Sequence, residues 1–179
     1  MAETRRIGEA QVRAYVSWDG AKLAFGIDET GNVANCVLIS SIKNTGQSPA
    51  ELVALYSHLA IIPVDQSPKI VFSPSGIACN HDIGAGNLFD LRDQLLSTPD
   101  AYAVSRGERR CYLLGWAAYR DVFSKEGDTD RVLTFCFEIK LRVAPRLWTK
   151  EFVQEHPAQT MISLISIPGY EIGPSGPYK

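Results

Sequence analysis

The 179-residue chain has no apolar run near the ~20 residues that cross a bilayer. Its longest apolar stretch, 52–62, is interrupted by His58. It has no polybasic tract either. Arg5/Arg6, Arg109/Arg110 and Arg142/Arg146 are its basic clusters, and the net charge is −2 with a pI near 5.9. A nucleic-acid partner is therefore not expected. The first residues, Met1-Ala2-Glu3-Thr4-Arg5-Arg6, lead into polar sequence without an apolar h-region, so no signal peptide is read. The four cysteines, Cys36, Cys79, Cys111 and Cys136, include no C-x-x-C pair. Three of them lie in apolar strand-like runs, where a thiol behaves as a small hydrophobe. Reduced core thiols are the expectation, and a Cys36–Cys136 or Cys36–Cys111 bridge is the alternative that sequence leaves open. Internal repeats, low-complexity segments and βαβ alternation are all missing, which argues against a solenoid or a parallel sheet.

What is present is alternation. Val12, Ala14, Val16 and Trp18 alternate with Arg13, Tyr15 and Ser17. Beyond Asp19-Gly20, Ala21, Leu23, Phe25 and Ile27 alternate with Lys22, Ala24 and Gly26. Two alternating runs across an Asp-Gly pair predict a β-hairpin. A turn is predicted at 28–32 and a strand at 33–43. The turn formers Asn44-Thr45-Gly46-Gln47-Ser48-Pro49 come next, then a strand over 52–62. In that strand Val53, Leu55, Leu59 and Ile61 are expected on one face, with Leu52, Ala54, Tyr56, His58 and Ala60 on the other.

The middle is less regular. Residues 69–72 suit a short strand, and the Gly/Ser/Pro-rich 73–86 reads as a loop. Asn87 is a candidate N-cap, and Leu88, Leu91 and Leu95 at i, i+3 and i+7 predict a short helix ended by Thr98-Pro99. Residues 110–123 and 133–143 predict a hairpin joined by the polar 124–130. In its second strand Leu133, Phe135, Phe137, Ile139, Leu141 and Val143 are expected on the inward face. A short helix is predicted over 148–155, and the tail 168–179 reads as extended.

These elements amount to about seven strands with one helical insertion, a mainly β pattern of the antiparallel two-sheet sandwich kind. The division expected is a lead segment over 1–10, a β-sandwich domain over 11–143 and an irregular C-terminal extension over 144–179.

Arg13-Ala14-Tyr15-Val16, the Asn44–Ala50 turn, Gly115, Tyr119-Arg120-Asp121-Val122-Phe123 and Phe135-Cys136-Phe137 occur in this order. Together they resemble a group of uncharacterised proteobacterial β-sandwich proteins with an R-A-Y-V…N-x-G-x-T/S-P-A…Y-x-D-x-F…F-C-F pattern. The Asn-Thr-Gly…Pro-Ala stretch is also similar to the strand–turn–strand signature of CARDB-like, immunoglobulin-type modules. The resemblance covers roughly 11–143. It implies an immunoglobulin-like sandwich and no catalytic residues. Members of the group often place a transmembrane helix just before the β-domain. No such helix is read here, so membrane attachment is expected only if the chain is a domain cut from a longer parent. In physical terms the turn motif asks for structural roles: a glycine free to take positive φ, an asparagine bonding the turn backbone, and a proline at a strand edge.

The most suggestive chemistry is Cys79-Asn80-His81-Asp82, because zinc accepts thiolate, imidazole and carboxylate alike. A lone C-x-H pair is short of a four-ligand site, and the histidines His58 and His156 stand elsewhere in the sequence. Gly84-Ala85-Gly86 before a helix invites a phosphate, yet it lacks the Lys-Ser/Thr of a P-loop. Trp116 reads as core. Trp148, beside Arg146 and Lys150, reads as exposed and with Arg146 is the candidate contact pair. The function expected is that of a non-enzymatic interaction or structural module without cofactor. It would act on a protein partner or by self-association, as the soluble domain of a cell-envelope-associated protein. A metal or hydrolytic site at Cys79, His81 and Asp82 and a small-molecule or carbohydrate-binding module are the alternatives.

Overall fold

A computed structural model describes residues 7–8, 11–66, 77–91, 93–125, 128–155 and 162–166. The chain is mainly β, with two antiparallel sheets facing each other. In the smaller, β1 (Val16–Ile27) pairs with β2 (Val33–Asn44), whose other edge takes β5 (Leu88–Asp90) and β6 (Gln94–Leu96). The larger sheet runs β4 (Ile77–Ile83), β3 (Ala50–Pro63), β7 (Arg109–Asp121), β8 (Arg131–Leu141), β9 (Ile162–Ser166). A helix α1 (Thr98–Ser105), a 3₁₀ turn (Pro145–Leu147) and a helix α2 (Lys150–Glu155) complete the described elements. Leu23, Leu38 and Ile42 of the smaller sheet meet Leu52, Ile83 and Leu113 of the larger in a dry core. Trp18 stacks across the interface on Phe137, with ring centroids 4.0 Å apart.

Three local expectations are corrected. Asp19-Gly20 is a bulge, not a turn. Trp18 faces Ile42 and Gly20 faces Ser41, so Asp19 is extra and one strand continues through it. Gly20 takes φ +142°, which an L side chain resists. The bulge shifts the inward phase from Val16 and Trp18 to Ala21, Leu23 and Phe25, so both runs bury their apolar side against one unbroken β2. A second bulge at Val53, between Leu52 and Ala54, turns Leu52 onto the buried face of Leu55. The faces expected for β3 therefore hold only beyond it.

The third correction is the helix expected from Asn87 to Leu96. That segment forms β5 and β6 because β2 has an edge to satisfy. Ser41 pairs with Asp90, Cys36 pairs with Leu96, and the Leu91 amide donates to the Ser40 carbonyl at 2.7 Å. Leu91 is buried while Leu88 and Leu95 are exposed, so the three leucines share no face. The helix starts where a stop was expected. Ser97 caps α1 by accepting from the Asp100 amide, and Pro99 sits in the first turn, where its missing N–H costs nothing.

The strands at 110–123 and 133–143 form the expected hairpin of β7 and β8, with Phe135 and Ile139 in the core. Strand β7 is buried on both faces. Cys111, Leu113 and Ala117 belong to the core, and Tyr112, Leu114, Trp116 and Ala118 are buried on the reverse. Trp116 is thus buried, as expected, but away from the sheet–sheet interface. Beyond Val143, β9 extends the same sheet through Ile139↔Leu164 and Leu141↔Ile162. The strand expected at 69–72, most of the lead segment, His156 and the tail 168–179 lie outside the described residues.

Candidate functional site

The register gathers four sequence-distant segments at one end of the sandwich. Val16 lies opposite Asn44, Ala50 opposite both Ile83 and Asp121, and Tyr119 opposite Arg131. The hub is Asn44, which is fully buried. Its Oδ1 accepts from the amides of Tyr15 (3.2 Å) and Gly46 (3.0 Å), and its Nδ2 donates to the carbonyls of Ser48 (2.7 Å) and Ile83 (2.9 Å). Its main-chain N–H and C=O are taken by Asn87 and Gly86. All four polar groups are satisfied, through six hydrogen bonds, as burial demands. Gly46 is not held there by positive φ, the role expected of it. A Cβ at that position would stand 2.1 Å from the Arg13 carbonyl oxygen, so the glycine is required by backbone contact.

This stitching presents Arg13 and Tyr15. The Asp121 side chain, 1% exposed, lies between two guanidiniums: Oδ2 is 3.9 Å from Arg13 Nε and 3.8 Å from Arg131 Nη2. Its other oxygen accepts from the Phe123 amide at 2.9 Å and from Ser124 Oγ at 3.3 Å. Oδ2 itself has no hydrogen-bond partner among the described residues. Arg13 lies over the Phe123 ring (5.9 Å) and Arg131 over the Tyr15 ring (5.8 Å), both within cation–π range. The two arginines stay about a third exposed. Next to them in sequence, Val12, Val122 and Val132 are exposed apolar residues. The cluster combines aromatic rings with overlying guanidiniums, residue types that carry binding energy at protein interfaces.

The residues singled out from sequence fare differently. Cys79, His81 and Asp82 lie on the edge strand β4, not in a loop. Alternation turns Cys79 and His81 to one face and Asp82 to the other, so the three do not converge. Cys79 packs against the core, and burial pushes its thiol above the ordinary value, away from the thiolate a metal or a nucleophile needs. His81 lies 4.8 Å from the Phe89 ring. Among the described residues no three His, Cys, Asp or Glu side chains are grouped to hold a metal ion. Trp148 is corrected outright. It is 5% exposed and packs edge-on against Phe25 at 5.1 Å, so it cannot serve as a solvent-facing contact. Arg146 is exposed on the 3₁₀ turn. All four cysteines are free. Gly84-Ala85-Gly86 leads into β5, so no helix N-terminus is available there for a phosphate.

Sequence reasoning missed Arg13, Tyr15, Asp121, Phe123 and Arg131 as a unit. Asp121 reads as an isolated carboxylate, and more than a hundred residues separate it from Arg13. Its one signal was that both lie inside the ordered motifs quoted above.

No protein-family model matches the chain, and no curated protein sequence matches it. A crystal structure of a protein from Archaeoglobus fulgidus is similar at 10% identity and a TM-score of 0.34, covering 71% of this chain and 99% of that one. Among the described residues no helix is long and apolar enough to cross a membrane.

Proposed function

We propose that this protein is a non-enzymatic β-sandwich module that works through protein contacts, made at the end where Arg13, Tyr15, Phe123 and Arg131 gather. One observation carries the reading: two arginines, each about a third exposed, lie over aromatic rings with a buried aspartate between them. Side chains already held in place lose little freedom on binding, which favours association. The resemblance to proteins with a membrane helix before the β-domain supports a setting at the cell envelope.

Photo-cross-linking in the source cells tests this. A benzophenone amino acid replacing Val122 (63% exposed) should capture a discrete partner, either another protein or a second copy of the chain. The same group at Leu95 (64% exposed), on the smaller sheet, should not. Equal labelling from both positions, or none from either, would remove the proposed surface from consideration.

A further inference from the structure

We infer that Arg13 and Arg131 form a clamp for a carboxylate, and that the partner segment docking at this end is an acidic peptide. The inference rests on the interaction-module reading and names its ligand.

Charge is the first argument. Two guanidiniums share one buried carboxylate, so these three groups together carry one positive charge, on a chain whose net charge is −2. One incoming carboxylate would balance the pair. The second argument is unspent hydrogen-bonding capacity. An arginine carries five N–H donors. Arg13 and Arg131 meet Asp121 only at 3.8–3.9 Å, and neither donates a hydrogen bond to another described residue. Their forks therefore have free edges for the two-point recognition of carboxylate that guanidinium favours. The third argument is orientation: the rings of Phe123 and Tyr15 hold the two planes while Asp121, fixed by the Phe123 amide and Ser124, sits between them.

Several other arginines are already engaged. A cleft of about 540 Å³ is lined by Arg106, Arg109, Arg110 and Lys140. There Arg106 forks onto Glu108 and Arg109 pairs with Asp100. Arg120, near the clamp, is paired with Asp130. Val12, Val122 and Val132, exposed and adjacent in sequence to Arg13, Phe123 and Arg131, suit a peptide that carries apolar as well as acidic side chains.

The test is an NMR titration of the full chain with acetyl-Glu-Leu-Glu-Leu-Glu-amide and with its glutamine counterpart. The acidic peptide should shift the amides of Arg13, Tyr15, Phe123 and Arg131. The glutamine peptide, and the variants Arg13→Gln and Arg131→Gln, should each bind about tenfold more weakly or worse. Salt raised from about 50 to about 500 mM should weaken the acidic peptide and leave the glutamine peptide unchanged. If Arg131→Gln fails to fold, Arg131→Lys keeps the charge but loses the fork, and it should still bind more weakly than the parent. Equal binding of both peptides, no binding of the acidic one at about 5 mM, or shifts confined to the Arg106–Lys140 cleft would each overturn the clamp. Cross-linking from position 122 separates the two levels. A partner captured equally by the parent and by Arg131→Gln leaves the module standing without its clamp, and no captured partner removes the module itself.

Discussion

Asn44 Oδ1 accepts the backbone amide of Tyr15, 29 residues away in sequence, at 3.2 Å, and so ties the segment before β1 to the turn after β2. The same side chain holds Gly46, Ser48 and Ile83. Replacing it removes the partner of two part-buried amides and two buried carbonyls. Asn44→Ala should lower unfolding free energy by about 3–5 kcal/mol, since each orphaned buried group costs roughly 1–3 kcal/mol and the neighbours relax in part. Urea denaturation followed by tryptophan fluorescence gives the value. A loss below about 1 kcal/mol would contradict the hub role.

Gly46→Ala pushes a methyl group against the Arg13 carbonyl and the Tyr15 amide. The backbone of 13–15 must move, at an expected cost of about 1–3 kcal/mol. Hydrogen exchange at the Thr45 amide, bonded to the Tyr15 carbonyl at 2.7 Å, should accelerate more than exchange in the middle of β7. Uniform acceleration would instead indicate global destabilisation alone.

Asp121 is compensated twice, so its arginines should be non-additive. Either Arg13→Gln or Arg131→Gln leaves one counter-charge in place. The double variant buries an uncompensated carboxylate, and its loss should exceed the sum of the singles, approaching about 3–5 kcal/mol. A double-mutant cycle in urea reads the coupling directly, and additivity would show that the two arginines act on Asp121 independently.

Trp148→Ala should cost about 3–5 kcal/mol because the ring is buried against Phe25. Arg146→Ala, on the exposed turn, should change stability by less than about 0.5 kcal/mol. Thermal unfolding of both variants checks the burial of Trp148 against the exposure expected from sequence.

Burial pushes the thiols of Cys36 and Cys111 from 9.0 up to about 12. Between those values the unfolded chain has released protons that the folded chain retains, so stability falls as pH rises. It is constant with respect to these groups below about pH 9, then declines by about 1.4 kcal/mol per pH unit for each thiol. Equilibrium unfolding between pH 8 and about pH 11 measures the slope, and Cys36→Ala should reduce it. The native protein should also resist alkylation at Cys36 and Cys111 until it unfolds.

Much of the fold was legible because strand periodicity is a local property. The alternation around Leu23, Leu38, Phe135 and Ile139 marked strands with one buried face, and the Asp28–Asn32 and Asn44–Pro49 turn formers separated them. The phase slip at Asp19-Gly20 was legible too, but its meaning was not. A hairpin and a bulge produce the same pattern, and only the length of β2 beside it decides between them. The leucines at 88, 91 and 95 fit a helix equally well in isolation. The unpaired edge of β2 drew the segment into two short strands, and that edge exists only once β1 and β2 have paired.

The candidate site follows the same division. The sequence by itself determined that a small, weakly charged, strand-rich chain would pack two antiparallel sheets, because burial of alternating apolar side chains has few other solutions. It also held Arg13, Asp121 and Arg131 in the right order. Only the tertiary structure brought them together, set Asp82 and His81 on opposite faces of β4, and enclosed Trp148. Proximity between residues far apart along the chain is created by strand register, and register is settled by the whole sheet at once.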